Sequence, residues 1–155
     1  MKYLFFTILS VLVLTSCDNS EKEKQEQIVN FETKLQEINK TSPYHLYEFS
    51  LKTLSEEKSD PNSPFSKWTP EMIQDQSAFT FHAKSEELIN LVVEMLVYKG
   101  IVTSGGVSIN ELQSFVSRVR GNESDKIDTM IIESFDLAIQ YEETYLGLKS
   151  TKYNY

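Results

Sequence analysis

Apolar side chains recur at helical spacing through most of the chain. Between residues 28 and 38 they are separated by steps of three, four and three, which places them on one face of a helix. The members of this first stripe are Ile28, Phe31, Leu35 and Ile38. Two later stripes comprise Ile109, Leu112, Phe115, Val116 and Val119, then Ile127, Met130, Ile131, Ser134, Ala138, Tyr141, Tyr145 and Leu148, with Phe135 alongside. With no convincing sheet beside them, these stripes predict an all-α domain.

Start signals divide this domain into a compact bundle of five or six helices. Ser42 precedes Pro43 and Thr69 precedes Pro70, and each pair has the order of an N-cap followed by proline at the first helical position. Ser85 is followed by two glutamates, which predicts a further helix start at that residue.

The best local signal lies near residue 108. Ser108 and Glu111 have the spacing of a capping box, and Val107 and Leu112 are placed to form a hydrophobic staple around it. A last long helix is predicted to begin near Ser124.

The remaining segments are less regular. Three of the four prolines lie between residues 59 and 70, which predicts a loop. Residues 44–54 fit both strand alternation and helical spacing, and we favour a helix because no clear partner strand follows. Between residues 88 and 98 only Asn90 and Glu94 are polar, so the other helices should enclose this one almost completely.

The amino-terminal segment has the layout of a secretory signal. Lys2 supplies a positive charge, and residues 3–14 are apolar except for Thr7 and Ser10. This run is about a dozen residues long, whereas a membrane-spanning helix needs roughly 20.

The end of this segment resembles the lipobox of bacterial lipoproteins. Leu14, Thr15 and Ser16 supply an aliphatic residue and two small ones before Cys17, the only cysteine in the chain. The resemblance implies cleavage before Cys17, a diacylglyceryl group on its thiol and an acylated, typically palmitoylated, amino terminus. An uncleaved apolar tail, or an ordinary signal with a chance cysteine, is the alternative. The predicted division is 1–16 signal peptide, 17–27 lipidated cysteine and flexible polar tether, 28–148 helical domain and 149–155 polar tail.

Charge and cysteine content narrow the classes of function. The formal net charge is −8, and removing residues 1–16 would leave 14 basic against 23 acidic residues. This balance argues against nucleic acid and against a domain lying on an anionic lipid surface, and it suits a basic partner. Solubility alone is the simpler explanation of the charge. With Cys17 lipidated, disulfides, zinc fingers and cysteine nucleophiles are excluded together.

Candidate chemistry is sparse. His45 and Glu48, and His82 and Glu86, each share a helical face and could begin a metal site, but solvated or capping histidines explain the spacing equally well. We expect no metal, no cofactor and no catalytic residue.

Two further groups of residues could form a site. Glu94, with Asn90 one turn before it, could line a pocket, or the two could belong with Glu87 to a narrow solvated stripe. The aromatic residues could form an exposed patch for a partner or cover the core from a loop. They are Tyr44, Tyr47, Phe65 and Trp68.

A second resemblance bears on function. Residues 107–139, a capped helix, a short break and a second amphipathic helix, faintly resemble helical periplasmic immunity proteins of amidase toxins. Those proteins commonly carry a cysteine pair, which this chain lacks.

The sequence therefore predicts a lipid-anchored, non-enzymatic protein-binding module of the bacterial cell envelope: an adaptor, an inhibitor or an immunity-type protein. Its expected partners are a membrane, through Cys17, and another envelope or secreted protein. We expect it at the outer membrane in preference to the inner, facing the periplasm or the exterior. The alternative is a small-ligand carrier or enzyme that uses a pocket around Asn90 and Glu94.

Overall fold

The protein is all-helical over the residues that the structure describes. The computed structural model describes the backbone of residues 2–103 and 106–149, and the side chains of residues 19–103 and 106–149. Over these residues it contains no strand and five helices: α1 (Lys2–Asn39), α2 (Pro43–Lys58), α3 (Pro70–Tyr98), α4 (Ile109–Arg120) and α5 (Lys126–Leu148). The all-α prediction is confirmed, and the ambiguous segment 44–54 is helical as expected.

The predicted number of helices is wrong. Over the described residues, α1 runs without a break from the predicted signal segment to Asn39. Four helices, α2 to α5, follow it, where a bundle of five or six was expected. One error comes from Ser85, which lies inside α3 and begins no helix. Its hydroxyl is buried and donates to the carbonyl oxygen of Ala138 in α5, 2.8 Å away. The side chain that resembled a cap is therefore a tertiary contact.

The polar segment after Cys17 also differs from the expected flexible spacer. Residues 18–27 are helical, and the side chains of residues 19–26 are exposed. Glu, Lys and Gln dominate this segment, and all three have high helix propensity, so a polar composition does not prevent helix formation. Lys24 also forms an ion pair with Asp125 of α5 at 3.3 Å, which joins the segment to the domain.

Helix α3 is the axis of the molecule, and α5 runs antiparallel to it along its length. Lys99, just after α3, contacts Asp125 at the start of α5, with 2.9 Å between Nζ and Oδ2. At the other end the Gln74 side chain donates to the carbonyl oxygen of Leu148 at 2.6 Å. The two helices therefore share one long face.

Helices α1 and α2 cover α3 one after the other, each antiparallel to it. Phe31 of α1 lies beside Tyr98, with ring centroids 5.7 Å apart, so α1 covers the carboxyl-terminal half of α3. Ser77 of α3 donates to Ser50 of α2 at 2.9 Å, so α2 covers the amino-terminal half. The chain therefore runs along α1 and then α2 from the carboxyl-terminal end of α3 to its amino-terminal end.

The main core lies where α1, α3, α4 and α5 meet. Its fully buried members include Val92, Met95, Leu96 and Ile131. The first stripe contributes as predicted, because Ile28 and Phe31 are buried there and Leu35 and Ile38 pack against the cluster. Burial of this apolar surface is the main stabilising contribution to the fold.

Several predicted helix ends are confirmed. Thr69 caps α3 by accepting a hydrogen bond from the Met72 amide. The capping box at Ser108 and Glu111 is present in both directions. Helix α5 begins at Lys126 with Asp125 as its N-cap, which agrees with the predicted start near Ser124.

Candidate functional site

An apolar pocket opens between α2, the loop after it and the first turns of α3. Its volume is about 440 Å³. Phe49, Leu54, Phe65 and Trp68 line it together with the polar residues Ser50, Thr53 and Gln76. We call this site the aromatic pocket.

The walls of the aromatic pocket come from a loop that its own side chains hold in place. Asp60 accepts a hydrogen bond from the Asn62 amide at 2.9 Å, and the Ser63 hydroxyl accepts one from the Phe65 amide at 3.1 Å. Such local bonds replace those of a helix and stabilise turns. They place Phe65 against Trp68 edge to face, with ring centroids 4.8 Å apart.

The rim of the aromatic pocket presents an exposed aromatic ring and a hydrogen-bond donor. The Phe49 side chain is 63% exposed, the largest exposed fraction among the large apolar residues that the structure describes as exposed. Trp68 is half-buried, and no hydrogen bond joins its indole N–H to another residue of the described ranges. An exposed aromatic ring and an unused donor lie beside the same cavity.

The structure separates the aromatic residues that the sequence grouped together. Phe65 and Trp68 line the pocket, whereas Tyr44 and Tyr47 pack on Phe81 of α3, with ring centroids 4.8 and 5.8 Å away. Sequence reasoning missed Phe49. Its spacing of five from Leu54 and its place on an amphipathic helix gave no indication that its ring is exposed.

The alternative site exists as a more polar groove. Asn90 and Glu94 lie on α3 and face Asn30 and Lys34 on α1, across a cavity of about 730 Å³ that we call the α1–α3 groove. Lys34 donates to Glu94, and about half of each side chain is exposed. Asn90 is exposed as well, so the predicted solvated stripe matches these two residues.

The histidines lie in neither site. His45 is exposed on α2. His82 shares a face with Glu86, 3.5 Å away, as its spacing predicts, and its Nδ1 lies 2.8 Å from Glu142 of α5. Among the residues with described side chains, no group of three or more His, Cys, Asp or Glu could hold a metal ion.

A partly buried ionic cluster joins three helices, and no pattern in the sequence predicted it. Lys99 lies 2.9 Å from both Asp125 and Asp128, whose carboxylate also accepts hydrogen bonds from Ser124. Burial raises the pKa of Asp125, but hydrogen bonds from Lys99, the Asp128 amide and Lys24 lower it to about 2 overall. Burial lowers the pKa of Lys99, and the two aspartates raise it to above its usual value overall.

This ionic cluster is structural in character. The Asp125 side chain also caps α5 by accepting hydrogen bonds from the amides of Ile127 and Asp128. Each carboxylate is neutralised and saturated by hydrogen bonds, so the cluster has little capacity for a ligand.

The predicted lipidation site lies outside the described side chains. Leu14, Thr15, Ser16 and Cys17 fall in α1, and the structure describes only their backbone. Among the residues whose placement is described, no helix is long and apolar enough to cross a bilayer. The division at residues 16 and 27 remains a prediction.

Comparisons with models of known protein families, with curated proteins and with solved structures gave no match.

Proposed function

We propose that this protein is a lipid-anchored module of the bacterial cell envelope that binds another protein through the aromatic pocket. The lipobox-like segment ending at Cys17 supports the anchor. The aromatic pocket carries the binding part of the proposal, because an exposed aromatic ring beside an apolar cavity is typical of the centre of a protein interface.

The position of the aromatic pocket suits such a role. Gln76 in its wall and Tyr98 near α1 are 22 residues apart on one helix, which corresponds to about 33 Å. Cys17 precedes Phe31, the neighbour of Tyr98, by a further 14 helical residues, or about 21 Å. A chain anchored at Cys17 would therefore present the pocket far from the membrane, where a second protein has access to it.

The anchor is tested by substituting its cysteine. Cys17→Ala should move the protein from the membrane fraction to the soluble fraction and remove the acyl mass from its amino terminus, whereas Ser20→Ala should change neither. Mass spectrometry of the purified protein measures the acyl groups directly. An unchanged membrane distribution with no acyl mass in the parent protein would refute lipidation.

The binding role is tested by affinity purification from gently solubilised envelopes. The tagged parent protein should retain a stoichiometric partner that the Phe49→Ser variant loses. Phe79→Ser is the matched control, because Phe79 is a 48% exposed phenylalanine that packs beside His82 and Tyr145, outside the aromatic pocket. A preparation without any partner, or equal recovery by both variants, would contradict the proposal.

The α1–α3 groove supports a second candidate, a small-ligand carrier or enzyme. One observation favours it: the carboxamides of Gln27, Asn30 and Asn90 line the groove, and none has a hydrogen-bond partner in the described part of the chain. Unused donors and acceptors around a cavity are what a polar ligand requires. Co-purified small molecules, identified after denaturing the parent protein and an Asn90→Leu variant, would distinguish this candidate: a metabolite present only in the parent supports it.

A further inference from the structure

We propose that the occupant of the aromatic pocket is a basic protein segment that inserts one apolar side chain beside Phe49 and Trp68. This inference rests on the proposed binding role and specifies the chemistry of the partner. It combines three properties of the site: an open apolar wall, an unused hydrogen-bond donor and an excess of negative charge.

The apolar wall favours a protein over a small molecule. A ligand confined to the cavity would leave the Phe49 ring, 63% exposed, largely in water. A protein surface that places a side chain in the cavity would also cover the Phe49 ring and its surroundings. Burial of a ring of this size contributes strongly to association, and aromatic residues are enriched in such contacts.

The unused donor specifies what must lie next to the inserted side chain. The Trp68 indole N–H finds no acceptor among the residues that the structure describes, and covering it without one would cost free energy. The backbone carbonyl groups of a peptide segment supply an acceptor close to every side chain. A purely hydrocarbon surface, such as the interior of a bilayer, supplies none.

The charge distinguishes a basic partner from the other occupants. Residues 48–76, which form the pocket and its surroundings, contain six acidic and three basic residues, and the whole chain carries a net charge of −8. Two copies of this face would repel each other, and an anionic lipid surface would be repelled as well. A basic segment is attracted, with an association rate that falls as salt rises.

Trp68 provides the readout, because it is the only tryptophan in the chain and it lines the pocket. Full-length protein in nonionic detergent is titrated with a tryptophan-free ten-residue peptide of lysines and serines around one central leucine. We expect a saturable change in fluorescence excited at 295 nm. Replacing the leucine by alanine, or the lysines by glutamates, should each weaken binding at least tenfold.

Variants of the protein assign the signal to the pocket. Phe49→Ser should weaken binding of the lysine–leucine peptide at least tenfold, and Phe79→Ser should leave it within twofold. Both rings are exposed, so we expect each variant to retain the fold. Circular dichroism melting of each variant measures this. Raising the salt from 50 to 500 mM should weaken binding further.

Other outcomes would overturn the inference. Equal binding of the glutamate peptide excludes a basic partner, and equal binding of the alanine peptide excludes the apolar insertion. No saturable change at millimolar lysine–leucine peptide refutes it outright, as does self-association through Phe49 in sedimentation measurements. If affinity purification still returns a Phe49-dependent partner in any of these cases, the binding role stands and only the chemistry of the partner is wrong.

Discussion

Two buried serines, one in α3 and one in α5, differ in whether their hydroxyl groups have a hydrogen-bond partner. Ser85 of α3 is 5% exposed and donates to the carbonyl oxygen of Ala138. Ser134 of α5 is 1% exposed, and its hydroxyl has no hydrogen-bond partner in the described part of the chain. A buried hydroxyl without a partner loses its hydration and gains nothing in return.

Replacing Ser134 by alanine should therefore stabilise the protein. The substitution removes the uncompensated hydroxyl and introduces the residue with the highest helix propensity, so the free energy of unfolding should rise by about 1 kcal/mol. Urea denaturation followed by circular dichroism measures it.

Ser85→Ala is the matched control for that substitution. It gains the same helix propensity but loses a real hydrogen bond, so the free energy of unfolding should fall by about 0.5 kcal/mol. Changes of the same sign in both variants would show that the two hydroxyls do not differ as the structure indicates.

Individual residues were predictable from the sequence where their partners are local. Ser108 and Glu111 are three positions apart, and the structure confirms their reciprocal bonds. Phe49 and Ser85 were not predictable, because their surroundings come from residues far away in the chain. The Ser85 hydroxyl bonds a carbonyl 53 residues later, and no spacing rule describes such a contact.

At the scale of elements, α4 depends most on its cap. It has 12 residues, a length that is marginal for an isolated helix in water. Its first turn is fixed by the Ser108 side chain, which accepts from the Glu111 amide, while the Glu111 carboxylate accepts from the Ser108 amide at 2.9 Å. Hydrogen bonds from the Ser108 hydroxyl and amide also lower the pKa of Glu111.

Ser108→Ala should lower the free energy of unfolding by about 1 kcal/mol, since it removes the side-chain half of the capping box. Thermal and urea midpoints measure the loss. Ser114→Ala is the control, because that hydroxyl is exposed on the same helix and only bonds the carbonyl oxygen of Asn110 within it. Equal midpoints for the parent and Ser108→Ala would mean that the cap contributes nothing to the fold.

Helix starts were predicted more reliably than helix continuity. The starts at Pro43, Pro70 and Ile109 agree with the structure because proline and capping residues act locally. The single helix α3 was predicted as two helices because Ser85 is followed by two acids. A serine followed by acids favours a helix start only where the preceding residues are not already helical. Tertiary packing of Phe81 and Ser85 maintains the helix through that point.

At the scale of the whole molecule, the ionic cluster joins α1, α3 and α5. Lys99 supplies its central charge and is 18% exposed, and the Asp128 side chain is 4% exposed. Lys99→Met retains most of the side-chain volume but leaves two neighbouring carboxylates without their main cation. The free energy of unfolding should fall by about 3 kcal/mol.

Lys34→Met is the control for that loss. Lys34 also forms an ion pair with a glutamate of α3, but both side chains are about half exposed. Its loss should cost less than about 1 kcal/mol, because water screens exposed pairs. Denaturant unfolding compares the two variants, and equal losses would contradict the structural role of the cluster.

The same cluster makes the stability of the whole molecule depend on pH in acid. The folded state holds the pKa of Asp125 at about 2, below the usual 3.8, so the folded protein binds fewer protons than the unfolded chain in this range. The stabilisation is complete above about pH 5 and is lost as the pH falls toward 2. Its size, from the change in pKa, is about 2 kcal/mol.

Asp125→Asn should flatten this acid dependence, because asparagine can still cap α5 but cannot ionise. Unfolding by urea at intervals from pH 6 to pH 2 should show the parent losing about 2 kcal/mol more than the variant over that range. Some dependence should remain, since hydrogen bonds from Lys99 and Ser124 outweigh burial and lower the pKa of Asp128 as well. Asp136→Asn, which alters an exposed pair with Arg120, should keep the parent profile. Parallel profiles for the parent and Asp125→Asn would show that the contact with Lys99 does not persist in solution.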